Sequence, residues 1–547
     1  MIISLVACDD FGFSGGSETT DYETETSKKK PRPSEDDWED DFDNEDFDDE
    51  DFDDDFKTTE AETDIPTESS TEVSTDEETK PETTEPETTE PETTEPETTE
   101  PETTEPETTE PETTEPETTE KLPDDDDPKG IFQTGYSRVA ITPSVPINNF
   151  TVVANDIYAT CVAVYDGETT VLLISVDVEY LLEGHCDEIR EYIALTCGVP
   201  GDNVFISATH NHSAPTFGWQ WFDTACEQIA RASAMAVNDL SDSDIFIGRG
   251  KTTGMAFVRR YVDANGNYAT VSPMKADGAA LDTATIRSVS EADDTMQLIR
   301  FKREGKKDII ALNWQAHFAH AYDKAPAAIS SDMAHYIRED IEAGDDDALV
   351  AYFSGASGNI NLNAPNNVQR KDRNYKAVAE AFAKVALEVM KDENLTEVNS
   401  GKIKITKTVY AARHKKDSPE EIEAAYKRLA SGTGDVLRDT GDSYVISRNY
   451  SEFSHLRISA LSFGDLAFVT APYEMFDTNG VQIKEGSPFE MTFVLTISDG
   501  SFAYMPSYEA WTEYGGYETW ATYFDIGVAE AIVNEFITML DSHKRMS

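Results

Sequence analysis

Apolar residues along this chain fall into regular patterns only after residue 130, and from there two periods alternate. The runs "IYATCVAVYD" and "TVLLISVDV" are rich in β-branched residues and lie a few residues apart, which predicts two strands of a hairpin. "LEGHCDEIREYIALTCG" has apolar positions at helical spacing and ends on Gly198, a residue suited to stopping a helix. "NVFISA" predicts the next strand, and Asp223 to Asp239 a long helix. Further on, "MQLIRF" and "DIIALNW" read as paired strands. "SDMAHYIREDIEA" reads as a helix with a Ser/Asp cap, and "ALVAYFSG" as a buried strand. "NYKAVAEAFAKVALEVMKD" is strongly amphipathic. "AFVT", "TFVLTISD" and a last helix near Val528 to Leu540 repeat the theme. Such alternation predicts an α/β fold over residues 129–547, a single large domain with mixed sheets and surrounding helices.

The front of the chain is of a different kind. The formal net charge is -64, and 50 of the 108 acidic residues lie within the first 128 positions. "DFDNEDFDDEDFDDDF" is followed by "PETTE" eight times between Pro81 and Glu120. Like charges and recurrent proline keep such a segment extended and prevent it from burying a core, so residues 9–128 are expected to be a disordered acidic stalk. Its surplus of carboxylates also argues against nucleic acid as a partner. At the extreme N-terminus, "LVAC" resembles a bacterial lipobox in which Cys8 becomes lipidated. The apolar run before it is shorter than a complete signal, so residues 1–8 read as a signal lacking its beginning. These features predict a lipoprotein anchored to the membrane through Cys8, at the extracellular face of a bacterial cell.

Chemistry concentrates around histidine. Cys161, Cys186, Cys197 and Cys226 form no CxxC pair, which leaves disulfides or buried free thiols. Only nine histidines serve the chain, yet His210 and His212 stand one residue apart in "SATHNHSAP", directly after a predicted strand. A second cluster, "NWQAHFAH", again ends a strand with His317 and His320. Imidazoles on loops at strand ends are placed for metal binding, and zinc favours nitrogen and oxygen donors with one position left for water. His320 and His335 read as structural or as supports behind a ligand, and His185, His414, His455 and His543 as surface residues. Asp177, at the end of "ISVD", reads either as a support for a ligand imidazole or as a capping carboxylate.

These residues also carry a likeness. "THNHSAP" (209–215) resembles the "THTHSGP" signature of the neutral, non-lysosomal ceramidases, and "TGYSRVAITP" (134–143) their "GxGRxDITP" opening. "ALNWQAH" is similar to "NWFxxH", "ISSDMAHYI" to "SxDNxGYA", and "APYEMF" to the "PGEF" element. "FAYMPSYEAW" with "GYETWAT" resembles a further tyrosine-rich stretch, and the matches run in the family's order across residues 131–540. The resemblance implies Zn2+ held by His210, His317, Glu474 and Tyr504. It implies catalytic roles for His212 and Tyr517, and substrate contacts for Arg259 and Asn361. Asn361 stands in "GNINLN" where the family has a serine, and "HSAPTFGW" adds Phe217 and Trp219 to the histidine loop, which would either narrow the pocket or offer an apolar shelf.

The activity implied is zinc-dependent hydrolysis of an amide, with a ceramide-type N-acyl lipid as the leading substrate class. Another amide or ester drawn from sugars or the cell envelope is the rival substrate, and a tethered binding lipoprotein without turnover is the rival role.

Overall fold

The computed structural model describes residues 131–545 except 219–220, 272–279, 363–373 and 433–435. The lipobox with Cys8, the acidic and PETTE segments, and Trp219 lie outside the described residues.

The expected α/β architecture is present. Among the described residues a nine-stranded sheet is built from β1 (Gln133–Ala140), β2 (Tyr158–Tyr165), β3 (Thr170–Val176), β4 (Val204–Ala208), β5 (Ser241–Lys251), β6 (Thr295–Arg303), β7 (Asp308–Trp314), β8 (Ala348–Ser354) and β9 (Thr396–Val398). The order is β8-β7-β6-β5-β1-β2-β3-β4, with β9 paired to β5. A second sheet of four follows: β10 (Lys404–Arg413), β11 (Phe453–Phe463), β12 (Leu466–Ala471) and β13 (Met491–Thr496). The predicted helices are α1 (Glu183–Cys197), α2 (Phe222–Asn238), α3 (Met333–Gly344), α4 (Tyr375–Val389) and α5 (Val528–Arg545).

Strand periodicity explains the layers. Successive side chains of a strand point to opposite faces. Thus Leu172, Ile174 and Val176 of β3 join a core with α1 and α2, while Val171 and Leu173 point into a different core. β7 divides in the same way, with Ile310, Leu312 and Trp314 on α3 and α4, and Ile309 and Ala311 turned away. The residues turned away meet Leu461, Phe468, Phe493 and Leu495 of the second sheet. That sheet's other face, including Ala467 and Val469, packs on α5. Both sheets are therefore covered on two faces, as their near-continuous apolar strands require.

Local signals act as expected at the helix ends. Gly198 adopts φ 73° and donates its N–H to Ala194 O, closing α1. Asp332 caps α3 by accepting from Met333 N–H. The four cysteines of the described residues are free thiols, so the disulfide alternative does not apply. His414 and His543, expected at the surface, are buried and hydrogen-bonded, to Ser454 and to Thr406 and Ser462. No helix of the described residues is long and apolar enough to cross a membrane.

Within these two sheets the parallel pairs are β3 with β4, β7 with β8, and β12 with β13. The loops leaving their C-terminal ends carry His210, His317, Glu474 and Tyr504, the place where open α/β sheets tend to hold ligands.

Candidate active site

The histidine loop is fixed by backbone bonds before any side chain acts. Thr209 N–H donates to Val176 O at 2.9 Å, Asn211 N–H to Val178 O at 3.0 Å, and His212 N–H to Phe318 O at 2.9 Å. The buried Asn211 amide donates to Ser330 O at 2.6 Å and to Asp177 O at 3.3 Å, so this residue is a strut. Between these anchors His210 has φ 58°, a left-handed conformation that costs an L-residue roughly 1–2 kcal/mol. The surrounding bonds enforce it, and strain of this kind gathers where side chains must be aimed.

The aim is specific. His210 Nδ1 lies 2.9 Å from Glu179 O. A carbonyl only accepts, so Nδ1 carries the proton and Nε2 presents a lone pair. That Nε2 faces Glu474 Oε2 at 3.5 Å. Both atoms are buried and neither makes a hydrogen bond. In the neutral ring two lone pairs face each other away from water, a costly arrangement unless a metal ion or a second proton joins them. Burial disfavours the imidazolium of His210, but the carboxylates of Glu474 and Glu179 outweigh it and hold its pKa above the ordinary value.

Glu474 is placed by its own backbone. Residues Glu474–Met475 pair in parallel with Tyr504–Met505, with Glu474 directly opposite Tyr504. Gly358 N–H donates to Met475 O at 2.8 Å from the other side. A Cβ on Gly358 would sit 2.7 Å from Glu474 O and 3.0 Å from Met475 O. Gly358→Ala is therefore expected to push this strand aside and destabilise the protein by about 1–3 kcal/mol. Urea unfolding would show it, and an unchanged midpoint would contradict the packing.

The remaining imidazoles close the group. Donor atoms of His210, His212 and His317 all lie within 4.8 Å of one another. His212 Nε2 is 3.0 Å from His317 Nε2, so one of the two rings donates to the other. His212 Nδ1 is 3.4 Å from Glu179 Oε1. The histidine expected to face substrate thus stands inside the cluster, within reach of an ion shared with the other two. Tyr504 packs edge-on to Tyr517 with ring centres 5.5 Å apart. Burial, with Glu474 nearby, raises both phenols well above the ordinary value, so both stay protonated in this arrangement.

Arg259 is buried, and its guanidinium is engaged from three sides. It donates to Glu518 Oε1 at 3.0 Å and to Tyr504 Oη at 3.0 Å, and its Nη1 lies 3.4 Å from His317 Nδ1. Asn361 is buried with its Oδ1 3.2 Å from His320 Nε2, which joins those two expected positions to each other. The Asp177 carboxylate supports no histidine. It accepts both arms of Arg338 at 2.7 and 2.6 Å, Ser331 Oγ at 2.8 Å and Tyr158 N–H at 3.0 Å. Phe217 is buried against Trp221 and Phe222, with ring centres at 4.6 and 5.3 Å, so it stiffens the loop instead of offering a shelf. His335 pairs with Glu339 along α3 at 3.1 Å. Glu179 and Glu518 were not anticipated. The signals were a second acid two residues beyond Asp177 and an acid next to Tyr517.

No protein-family model matches the sequence, and no curated protein matches it significantly. Among solved structures, the neutral ceramidase from Pseudomonas aeruginosa superposes with a TM-score of 0.58 at 15% identity, covering 76% of this chain and 75% of that one. The fold is neutral-ceramidase-like. A second structure, a ceramidase complexed with C2, aligns with a TM-score of 0.58 at 14% identity and covers 76% of each chain. At these identities the likeness to the ceramidases is one of fold, and the chemistry must be read from this chain's own residues.

Proposed function

We propose that this protein is a zinc-dependent hydrolase that cleaves the amide bond of a ceramide-type N-acyl lipid. The observation that carries the reading is the pair of buried, unbonded donors, Nε2 of His210 and Oε2 of Glu474, facing each other at 3.5 Å. The neighbouring imidazole of His317 and the phenol of Tyr504 complete a donor set of two nitrogens and two oxygens, a chemistry zinc accepts. When bound, zinc supplies a Lewis acid and brings the ionisation of water from about 15.7 to about 7.

The chain's residues supply the rest. Tyr517, held protonated by burial, is the donor for the oxyanion that develops on the scissile carbonyl, and one such donor contributes about 3 kcal/mol. His212 is half-buried and lies between Glu179 and His317. Within reach of both, His212 is the group we assign to deliver a proton to the leaving amine nitrogen. We assign Arg259 and Asn361 to the substrate side, Arg259 acting also through Tyr504 and His317. We further propose that Cys8 is lipidated and that the acidic segment holds the enzyme away from an outer membrane surface, where amphiphilic substrates are met. The lipobox-like "LVAC" and the Pro- and Glu-rich spacer support this.

The test uses the full chain. One equivalent of zinc with release of fatty acid from a fluorescent ceramide is the expected result. Zinc with turnover only of simple amides or esters would move the substrate class, and absence of zinc would leave a binding protein.

A further inference from the structure

The carboxylate of Glu518 is fully buried, 0% exposed, and divides itself between two consecutive arginines. Its Oε1 accepts from Arg259 Nε at 3.0 Å and its Oε2 from Arg260 Nη1 at 2.9 Å. Arg259 continues inward to Tyr504 Oη at 3.0 Å and toward His317 Nδ1 at 3.4 Å. Arg260 continues outward, donating to Gly515 O at 2.6 Å and Ala510 O at 3.3 Å, the turn just before Tyr517. Tyr517 N–H is in turn fixed on Thr270 Oγ1 at 3.0 Å.

We propose that Glu518 is the positioning residue of this site, setting the plane of the Arg259 guanidinium and, through it, the orientations of His317 and Tyr504. The proposal rests on the reading of those two residues as metal ligands. A guanidinium is a rigid planar fork, so a carboxylate on Nε determines where Nη1 and Nη2 point. Here they point at an imidazole nitrogen of His317 and the phenol oxygen of Tyr504. The same carboxylate holds Arg260 against the turn that carries Tyr517, so the metal-binding and the substrate-facing sides share one anchor. A simpler role, neutralising two buried cations, predicts lost stability with an unaltered metal centre.

The experiment compares Glu518→Gln and Arg259→Lys with the unaltered full chain. Glu518→Gln keeps size and one acceptor but loses the charge that grips both arginines. Arg259→Lys keeps the charge but loses the fork. Zinc affinity by chelator competition is expected to fall about 10–100-fold in each, the range seen when a support behind a metal ligand is removed. The visible spectrum of the cobalt-substituted protein should shift in the same variants. Folded variants with unaltered zinc affinity and cobalt spectrum would overturn the proposal, and if Glu518→Gln fails to fold, Arg259→Lys decides. If the unaltered protein takes up no zinc, the metal reading fails separately. The proposal is then judged on the metal-free chain labelled with nitrogen-15 at histidine. A displaced His317 signal in Glu518→Gln, assigned by its loss in His317→Gln, upholds the clamp, and an unmoved one overturns it.

Discussion

His210→Ala is expected to give a folded protein that holds no zinc and has lost at least about 10³-fold in turnover, since removing even one charge-stabilising donor costs about 10²–10³. The argument starts from the backbone. His210 is held at φ 58° by the bonds on either side of it, so its Cα stays where it is whatever side chain it bears. What alanine removes is the imidazole whose Nδ1–H is fixed by Glu179 O and whose Nε2 faces Glu474. His212 and His317 remain in the cluster, but neither takes the place opposite Glu474 that this Nε2 holds. Alanine at a left-handed position adds strain of roughly 1 kcal/mol that glycine does not suffer. His210→Gly should therefore be at least as stable as His210→Ala and equally free of zinc. Metal analysis with thermal unfolding of both variants separates the two roles of this residue. One equivalent of zinc retained by either would sink the assignment.

Much of this site was legible in the sequence because loops that leave strands are short and carry their chemistry with them. "NVFISA" and "DIIALNW" are apolar enough to be strands on sight, and the histidines beyond them then had to share one end of a sheet. Glu474 and Tyr504 were reached only by family likeness, since a lone acid and a lone phenol carry no pattern. Glu518 was missed for a related reason: its partner Arg259 lies 259 residues earlier, and no local period reports such a contact. Asp177 misled because a strand-end acid beside a histidine loop suggests a support. Its carboxylate turns instead to Arg338, while the carbonyl that orients His210 belongs to Glu179. The helices Pro419–Ser431 and Val436–Ser447 were overlooked although Ser418 and Glu421 form a capping box, a signal present in "SPEE". His414 and His543 looked peripheral because they stand alone in sequence, yet solitary histidines with a hydroxyl partner are comfortable in a core.

The largest loss of stability should come from Arg338→Ala. Asp177 is 0% exposed and the Arg338 side chain 3%, and they meet in two parallel bonds of 2.7 and 2.6 Å. Removing one member of such a pair strands the other charge without water, at about 3–5 kcal/mol. Urea unfolding should show this as a lower midpoint with little change in slope, because the surface exposed on unfolding stays similar. The double variant Asp177→Asn with Arg338→Met should recover much of the loss, since no uncompensated charge then remains; equal losses in both would contradict the argument. The damage should also reach the site. Ser331 donates to Asp177, and its neighbour Ser330 accepts the Asn211 amide that braces the histidine loop. Glu179, two residues beyond Asp177, supplies the carbonyl that sets the His210 tautomer. In the folded fraction of Arg338→Ala, zinc affinity should therefore fall as well, by less than in any variant that touches His210 itself.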